Sequence, residues 1–234
     1  MTVALVLDLD DTLYLERDFV RSGIHAVAKE VETRLGLEQF LAVAQILWDA
    51  GEHHRLFDEA LRHCGVEPAP SLVAELVECY REHQPEITLA PDAEHLLRQG
   101  QDYAFALVTD GYLSTQRRKI SALGLQHFPI GPLVCTDEWG REYWKPHRRG
   151  FEFVAAHLPK HADHFVYVAD NPAKDFLGPR ALGWLTIQID RPGAVHDRVP
   201  PSREHAADHH IRNFDELTPE VLDALLAKAA VTAP

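Results

Sequence analysis

Five short runs of this chain are apolar nearly from end to end: 3–8 (VALVLD), 103–109 (YAFALVT), 132–136 (PLVCT), 164–170 (HFVYVAD) and 184–190 (WLTIQID). They are rich in β-branched and aromatic residues and do not alternate with polar ones. That is the pattern of strands covered on both faces. Helix-like segments lie between and after them. The segment 114–124 ends on Gly124, a residue suited to a helix C-cap. Further helices are expected over 148–158 and 174–183, and over 218–228 with Thr218 as N-cap and Pro219 in the first turn. The histidines at 209 and 210 open a short stretch, 209–214, that reads as an edge strand, and the Ala-rich end, 227–234, is expected to fray. Strands alternating with helices imply an α/β fold with a parallel sheet.

One stretch breaks the alternation. After the first strand come about 75 residues without a convincing strand. Helical periods fill it instead, at 19–35, 37–50, 55–64 and 71–83. The reading is an α-helical cap, residues 15–90, inserted into a core made of 1–14 and 91–230, which resumes with a helix from Pro91.

Charge and cysteine usage narrow the function. The formal net charge is −13, with no Lys/Arg-rich run to offset it. This argues against nucleic acid, whose phosphates demand a basic face, and against an anionic membrane surface. Cys64, Cys79 and Cys135 are odd in number and widely spaced, so neither a disulfide framework nor a structural zinc site is expected. The apolar run from Val3 is too short for a signal peptide or membrane span, and a cytoplasmic protein is expected.

Chemistry-bearing residues collect at the strand ends. Asp8, Asp10 and Asp11, with Thr12, follow the first strand, and ligands in open α/β sheets bind beyond the carboxyl ends of strands. Carboxylates a few ångströms apart repel by about 4 kcal/mol per pair at an effective dielectric near 20, so such a cluster calls for a cation or a proton. Thr109, Asp110 and Gly111 follow the second strand. A hydroxyl there can donate to a phosphoryl oxygen, and glycine allows close backbone approach. Lys145 offers a point charge, and Pro146 suits a helix start. Asp170 and Asp175 bracket a turn after the fourth strand, and several oxygen-only ligands suit Mg2+. Each motif alone also reads as an ordinary turn, cap or solvated side chain. Their joint occurrence at successive strand ends is poorly explained that way.

These four motifs, D8-L-D-D-T-L, T109-D-G, K145-P and D170-N-P-A-K-D175, resemble those of the haloacid dehalogenase superfamily, in the family's order. The helical insertion resembles its type 1 cap. The resemblance implies a Rossmann-like parallel-sheet core with an inserted α-helical cap. It implies Asp8 as the nucleophile that forms an aspartyl-phosphate, and Asp10 as acid and then base. It implies Mg2+ held by Asp8, the carbonyl of Asp10 and Asp170, with Asp175 nearby. Thr109, Asp110 and Lys145 would form the phosphate site. The second acid, Asp10, separates phosphatases from true dehalogenases of the superfamily, and Thr12 sets the chain apart from its hexose-phosphate mutases. Ala169 stands where glycine is common.

The expected partner is a small phosphorylated metabolite such as a sugar phosphate, a nucleotide or phosphoglycolate. Substrate selection by type 1 caps is attributed to a loop between early cap helices, which points to His53, His54 and Arg55; a plain polar turn is the other reading. His147, Arg148 and Arg149 either reach the substrate or form an exposed helix start. His205, His209 and His210 lack a cysteine to complete a common zinc pattern. A phosphomutase using the same intermediate is the alternative. A non-catalytic receiver-like phospho-switch fits worse, because its aspartate follows a middle strand and carries no cap.

Overall fold

The computed structural model describes residues 2–99, 103–158 and 161–232. The chain forms two units, Met1–Arg17 with Thr88–Pro234, and Asp18–Ile87.

The first unit carries six strands: β1 (Val3–Leu7), β2 (Tyr103–Thr109), β3 (Ile130–Cys135), β4 (His164–Ala169), β5 (Leu185–Ile189) and β6 (His209–Ile211). They form one sheet in the order β3-β2-β1-β4-β5-β6. Every pairing is parallel, and Leu7 lies level with Leu107 on one side and Val168 on the other. The sheet therefore grows outward in both directions from β1. At such a switch point a crevice opens beyond the carboxyl ends of the strands. Every residue of β1 is buried, which is why it reads as an unbroken apolar run; β5 is buried throughout as well, although Thr186 and Gln188 alternate with its apolar residues.

Nine α-helices occur among the described residues, four of them centred in the second unit: α1 (Glu16–Leu35), α2 (Phe40–Asp49), α3 (Leu56–His63) and α4 (Pro70–Glu82). Ile24, Val27 and Val31 of α1 repeat at helical spacing and close a core with Phe40, Ala44, Ala60, Leu61 and Leu76. The other five helices are α5 (Pro91–Gln99), α6 (Leu113–Ala122), α7 (Arg149–His157), α8 (Leu177–Arg180) and α9 (Pro219–Thr232). On one face of the sheet Val6, Val108, Tyr167 and Ala169 pack against Phe151 and Val154 of α7 and against Phe176 and Trp184. Ala169 is thus a packing residue of the core.

Three local expectations need correction. The helix expected over 174–183 is the single turn α8. The chain before it is closed into a turn by Asp175, whose Oδ2 accepts the Asn171 N–H at 2.9 Å, and Gly183 beyond it has φ +75°. Pro146 does not start a helix, since α7 begins only at Arg149. The C-terminal helix continues past residue 228 to Thr232, while Ala233 and Pro234 lie outside the described residues. Thr218 caps it as expected, its hydroxyl accepting the Val221 N–H at 3.4 Å. Gly124, in the left-handed region at φ +65°, ends α6. Among the described residues no helix is long and apolar enough to cross a membrane.

Candidate active site

Asp8 is the first residue past β1, and its N–H donates to the Val168 carbonyl at 3.0 Å, so β4 fixes its backbone. The side chain is buried against an ammonium. Lys145 Nζ lies 2.8 Å from Asp8 Oδ1 and 2.7 Å from Asp175 Oδ1, and donates to the Tyr167 hydroxyl at 3.0 Å. The Lys145 side chain has no exposure at all. Burial alone would discharge it, but the carboxylates of Asp175 and Asp8 hold its pKa well above the usual lysine range.

The loop that delivers Lys145 is anchored by Asp110. The Lys145 N–H lies 3.1 Å from both oxygens of the Asp110 carboxylate, and Thr136 Oγ1 donates to the same group at 2.6 Å. What Asp110 can offer a phosphoryl group is therefore its backbone, because its carboxylate is spent on fixing the lysine loop. Gly178 lets α8 press on this loop. A Cβ at that position would come within 2.8 Å of the Pro146 carbonyl oxygen.

Carboxylate oxygens of Asp8, Asp170 and Asp175 all lie within 4.8 Å of one another and are buried. Among the described residues this is the one cluster of three or more His, Cys, Asp or Glu able to hold a metal. Burial raises the Asp8 pKa to about 6, with the Asp175 charge adding to it and Lys145 opposing. Asp170 is raised well above the ordinary carboxylate range by burial and by the charges of Asp175 and Asp8. Asp170 Oδ2 is buried without a hydrogen-bond partner. A buried acceptor left unpaired inside an all-oxygen acidic cluster fits a hard divalent cation.

Asp10 sits apart from that cluster in a different environment. Lys119 Nζ is 2.7 Å from its Oδ1, the Tyr14 hydroxyl donates to the same oxygen, and Gln116 Nε2 donates to Oδ2 at 3.0 Å. Burial pushes its pKa up, but the Lys119 charge and these hydrogen bonds outweigh burial and hold it below the ordinary value. Two aspartates two residues apart are thus shifted in opposite directions, Asp8 upward and Asp10 downward. Gln116 Nε2 also donates to Thr109 Oγ1 at 2.6 Å, linking Asp10 to the end of β2.

The turn that follows Asp10 is pinned from outside. Asp11 takes φ +50°, and its carboxylate accepts the N–H groups of Glu16 at 2.8 Å and Val195 at 2.7 Å. Burial nevertheless raises its pKa to about 6.

The structure therefore brings together Asp8, Lys145, Asp170 and Asp175, and places Asp10 and Thr109 at the same strand ends. His53, His54 and Arg55 belong to the second unit. They follow α2, where the His53 ring lies tilted against Trp48 at 4.0 Å between ring centroids and Arg55 pairs with Asp58 at 3.3 Å. His147, Arg148 and Arg149 are exposed; Arg148 pairs with Glu152 at 2.8 Å and Arg149 lies over Trp139 and Tyr143. His205 bonds Ser202 and His210 pairs with Asp190, so these histidines do not converge.

Sequence reasoning missed Tyr14, Gln116, Lys119, Thr136 and Tyr167. Gln116 and Lys119 carried a faint signal: they are three apart and share a helix face. In the run QRRK, however, every residue reads as solvated.

A family model described as haloacid dehalogenase-like hydrolase matches residues 2–183. The chain is 32% identical over 227 residues to the glyceraldehyde 3-phosphate phosphatase of Methanopyrus kandleri, covering 93% of this chain and 96% of that protein. It is 29% identical over 240 residues to the ribulose-1,5-bisphosphate 5-phosphatase of Halopiger xanaduensis, covering 93% and 98%. Among solved structures, the HAD-hydrolase YfnB from Bacillus subtilis, bound to magnesium, shares the fold with a TM-score of 0.64 at 20% identity, covering 92% of this chain and 96% of that one. The matched model spans more than half of the chain, and so this protein belongs to the haloacid dehalogenase-like hydrolases, as a phosphatase of that family.

Proposed function

We propose that this phosphatase hydrolyses a small phosphate monoester with Mg2+, through an aspartyl-phosphate on Asp8. The observation that carries this reading is the pairing of Asp8 with Lys145 at 2.8 Å beside the buried Asp170 and Asp175 carboxylates. Asp8, Asp170 and the backbone carbonyl of Asp10, with Asp175 nearby, would hold the metal. Mg2+ supplies charge neutralisation for an anionic phosphoryl group approaching an anionic nucleophile.

An oxygen of Asp8 attacks phosphorus, and the ester P–O bond breaks. The leaving oxygen takes its proton from Asp10. Asp10 then removes a proton from water, which attacks the aspartyl-phosphate, releases inorganic phosphate and restores the Asp8 carboxylate. The ionised Asp10 of the resting site is the form the second step needs. For the first step it must carry a proton, which a dianionic phosphoryl group beside it favours. The Thr109 hydroxyl, the Asp110 backbone and Lys145 bind phosphoryl oxygens.

The named relatives act on a triose phosphate and a bisphosphorylated sugar, which supports a phosphorylated sugar or a similarly small metabolite as substrate. His53, His54 and Arg55, in the turn after α2, are the candidates for reading its non-phosphate part. The test is phosphate release from an aryl phosphate and from a panel of phosphorylated metabolites, with and without Mg2+. Turnover should need the metal and vanish in Asp8→Asn. Equal turnover by Asp8→Asn and the parent would overturn the assignment. Isomerised phosphosugar with no phosphate released would point to a mutase instead.

A further inference from the structure

Helix α6 buries two side chains that a surface helix ordinarily leaves in water. Gln116 is 1% exposed and Lys119 4%. Burying an amide, and still more an ammonium, is unfavourable unless each finds a partner. Both find Asp10. Lys119 reaches Oδ1 at 2.7 Å, an oxygen that also accepts from Tyr14, and Gln116 reaches Oδ2 at 3.0 Å.

We infer that Gln116 and Lys119 are positioning residues that hold the Asp10 carboxylate in register with the Thr109 hydroxyl, and so set how well the leaving oxygen is protonated. The inference rests on the acid–base reading of Asp10 given above. A primary amide has two N–H protons. Those on Gln116 Nε2 serve Asp10 Oδ2 and Thr109 Oγ1, the latter at 2.6 Å, so one nitrogen spaces the proton-transfer group from the phosphate-binding hydroxyl. Because Oγ1 accepts from the amide, its own proton points elsewhere. Among the described residues it meets the Asp110 carbonyl only at 3.5 Å, too long for a good bond, which leaves it for a substrate oxygen. Lys119 and Tyr14 crowd Oδ1, which leaves Oδ2 as the oxygen with spare acceptor capacity. Gly111 makes room for the device: at φ +126°, a Cβ there would stand 3.1 Å from the Gln116 side chain. The glycine of the second motif and the glutamine five residues on are one arrangement.

Leaving-group protonation matters for alkyl esters and little for aryl esters, whose phenolates depart unaided. The ratio of kcat/KM for an alkyl phosphate to that for an aryl phosphate therefore reads Asp10 function apart from folding and from phosphate binding. Gln116→Ala and Lys119→Met should each lower this ratio by about tenfold or more, within the range of general acid catalysis. Neither should lower it further in an Asp10→Asn background. Thermal melts identify the folded variants, and if one variant fails to fold the other decides. Asp10→Asn alone must lower the ratio; if it does not, the acid–base reading of Asp10 falls and this inference with it. If Asp10→Asn lowers it while the folded α6 variants leave it unchanged, the positioning role alone is overturned.

Discussion

The ammonium of Lys145 lies 2.8 Å from Oδ1 of Asp8, a residue 137 positions earlier in the chain. Both side chains are buried, and Asp175 lies on the other side of the nitrogen at 2.7 Å. One cation thus compensates two buried carboxylates. Lys145→Met keeps most of the volume and removes the charge. Turnover of an aryl phosphate should fall by about 10² to 10³-fold, the usual effect of losing one preorganised charge at a transferring group. The metal-free protein should also lose about 3–5 kcal/mol, because two interior carboxylates are left unpaired. Steady-state kinetics and urea titration in chelator check the two parts separately. A fully active or fully stable variant would remove Lys145 from that role.

Asp170 makes the opposite case. Its Oδ2 has no hydrogen-bond partner, and Asp175 and Asp8 raise its pKa on top of burial. Its charge therefore opposes folding when no metal is bound. Asp170→Asn should melt higher than the parent in chelator. The same variant should lose the stabilisation that Mg2+ gives, about 2.7 kcal/mol for the parent at a hundredfold excess over Kd. Melts with and without Mg2+, run on both proteins, decide it. An unchanged Mg2+ shift in Asp170→Asn would place the metal elsewhere.

The strands and most helices were legible because their signals are local. β1 is buried on both faces and reads as a continuous apolar run, and the helices of the second unit show a 3.6-residue period. Asp8, Thr109 and Asp170 stood out because each closes an apolar run. The surroundings of Asp10 were not legible. Lys119 reaches it from 109 residues away and Gln116 from 106, and no spacing rule links a helix in mid-chain to an aspartate in the first turn. Asp110 shows the same limit. Its position in the motif was plain, but its carboxylate holds the Lys145 backbone through a tertiary contact 35 residues along the chain, which no local pattern announces. The overlong helix over 174–183 failed because a side chain, Asp175, closes the preceding turn.

Gly178 and Gly183 lie five residues apart and separate packing from backbone conformation. A Cβ on Gly178 would stand 2.7 Å from a ring carbon of Phe151 and 2.8 Å from the Pro146 carbonyl oxygen. The ring has some freedom, but the carbonyl belongs to the loop that carries Lys145. Gly178→Ala should cost about 1–3 kcal/mol as overpacking and should lower kcat together with stability. Gly183 has φ +75° and nothing near it. Gly183→Ala should cost about 1 kcal/mol through backbone strain alone and leave kcat unchanged. Denaturation and kinetics on the pair test the distinction, which fails if Gly178→Ala retains full turnover.

Arg191 and Asp92 tie the first-motif loop to the rest of the core. The two guanidinium Nη atoms donate to the two carboxylate oxygens at 2.9 Å each, Nε donates to the Thr12 carbonyl at 2.7 Å, and the Phe214 N–H donates to Asp92 at 2.7 Å. Burial alone would raise the Asp92 pKa, but Arg191 and the Phe214 N–H outweigh it and hold it below the usual value of 3.8. A carboxyl group depressed in the folded state contributes stability that is fully present above its unfolded pKa, near 3.9, and is lost as pH falls through the folded one. The parent should therefore lose stability steeply below about pH 4. Asp92→Asn cannot titrate and leaves the guanidinium without its countercharge. It should be about 3 kcal/mol less stable at neutral pH, and its stability should fall less steeply than the parent's over the acid range. Urea titrations from neutral pH down to about pH 2.5 measure both slopes. Parallel curves for the two proteins would mean that the acid sensitivity of this fold lies in other carboxylates.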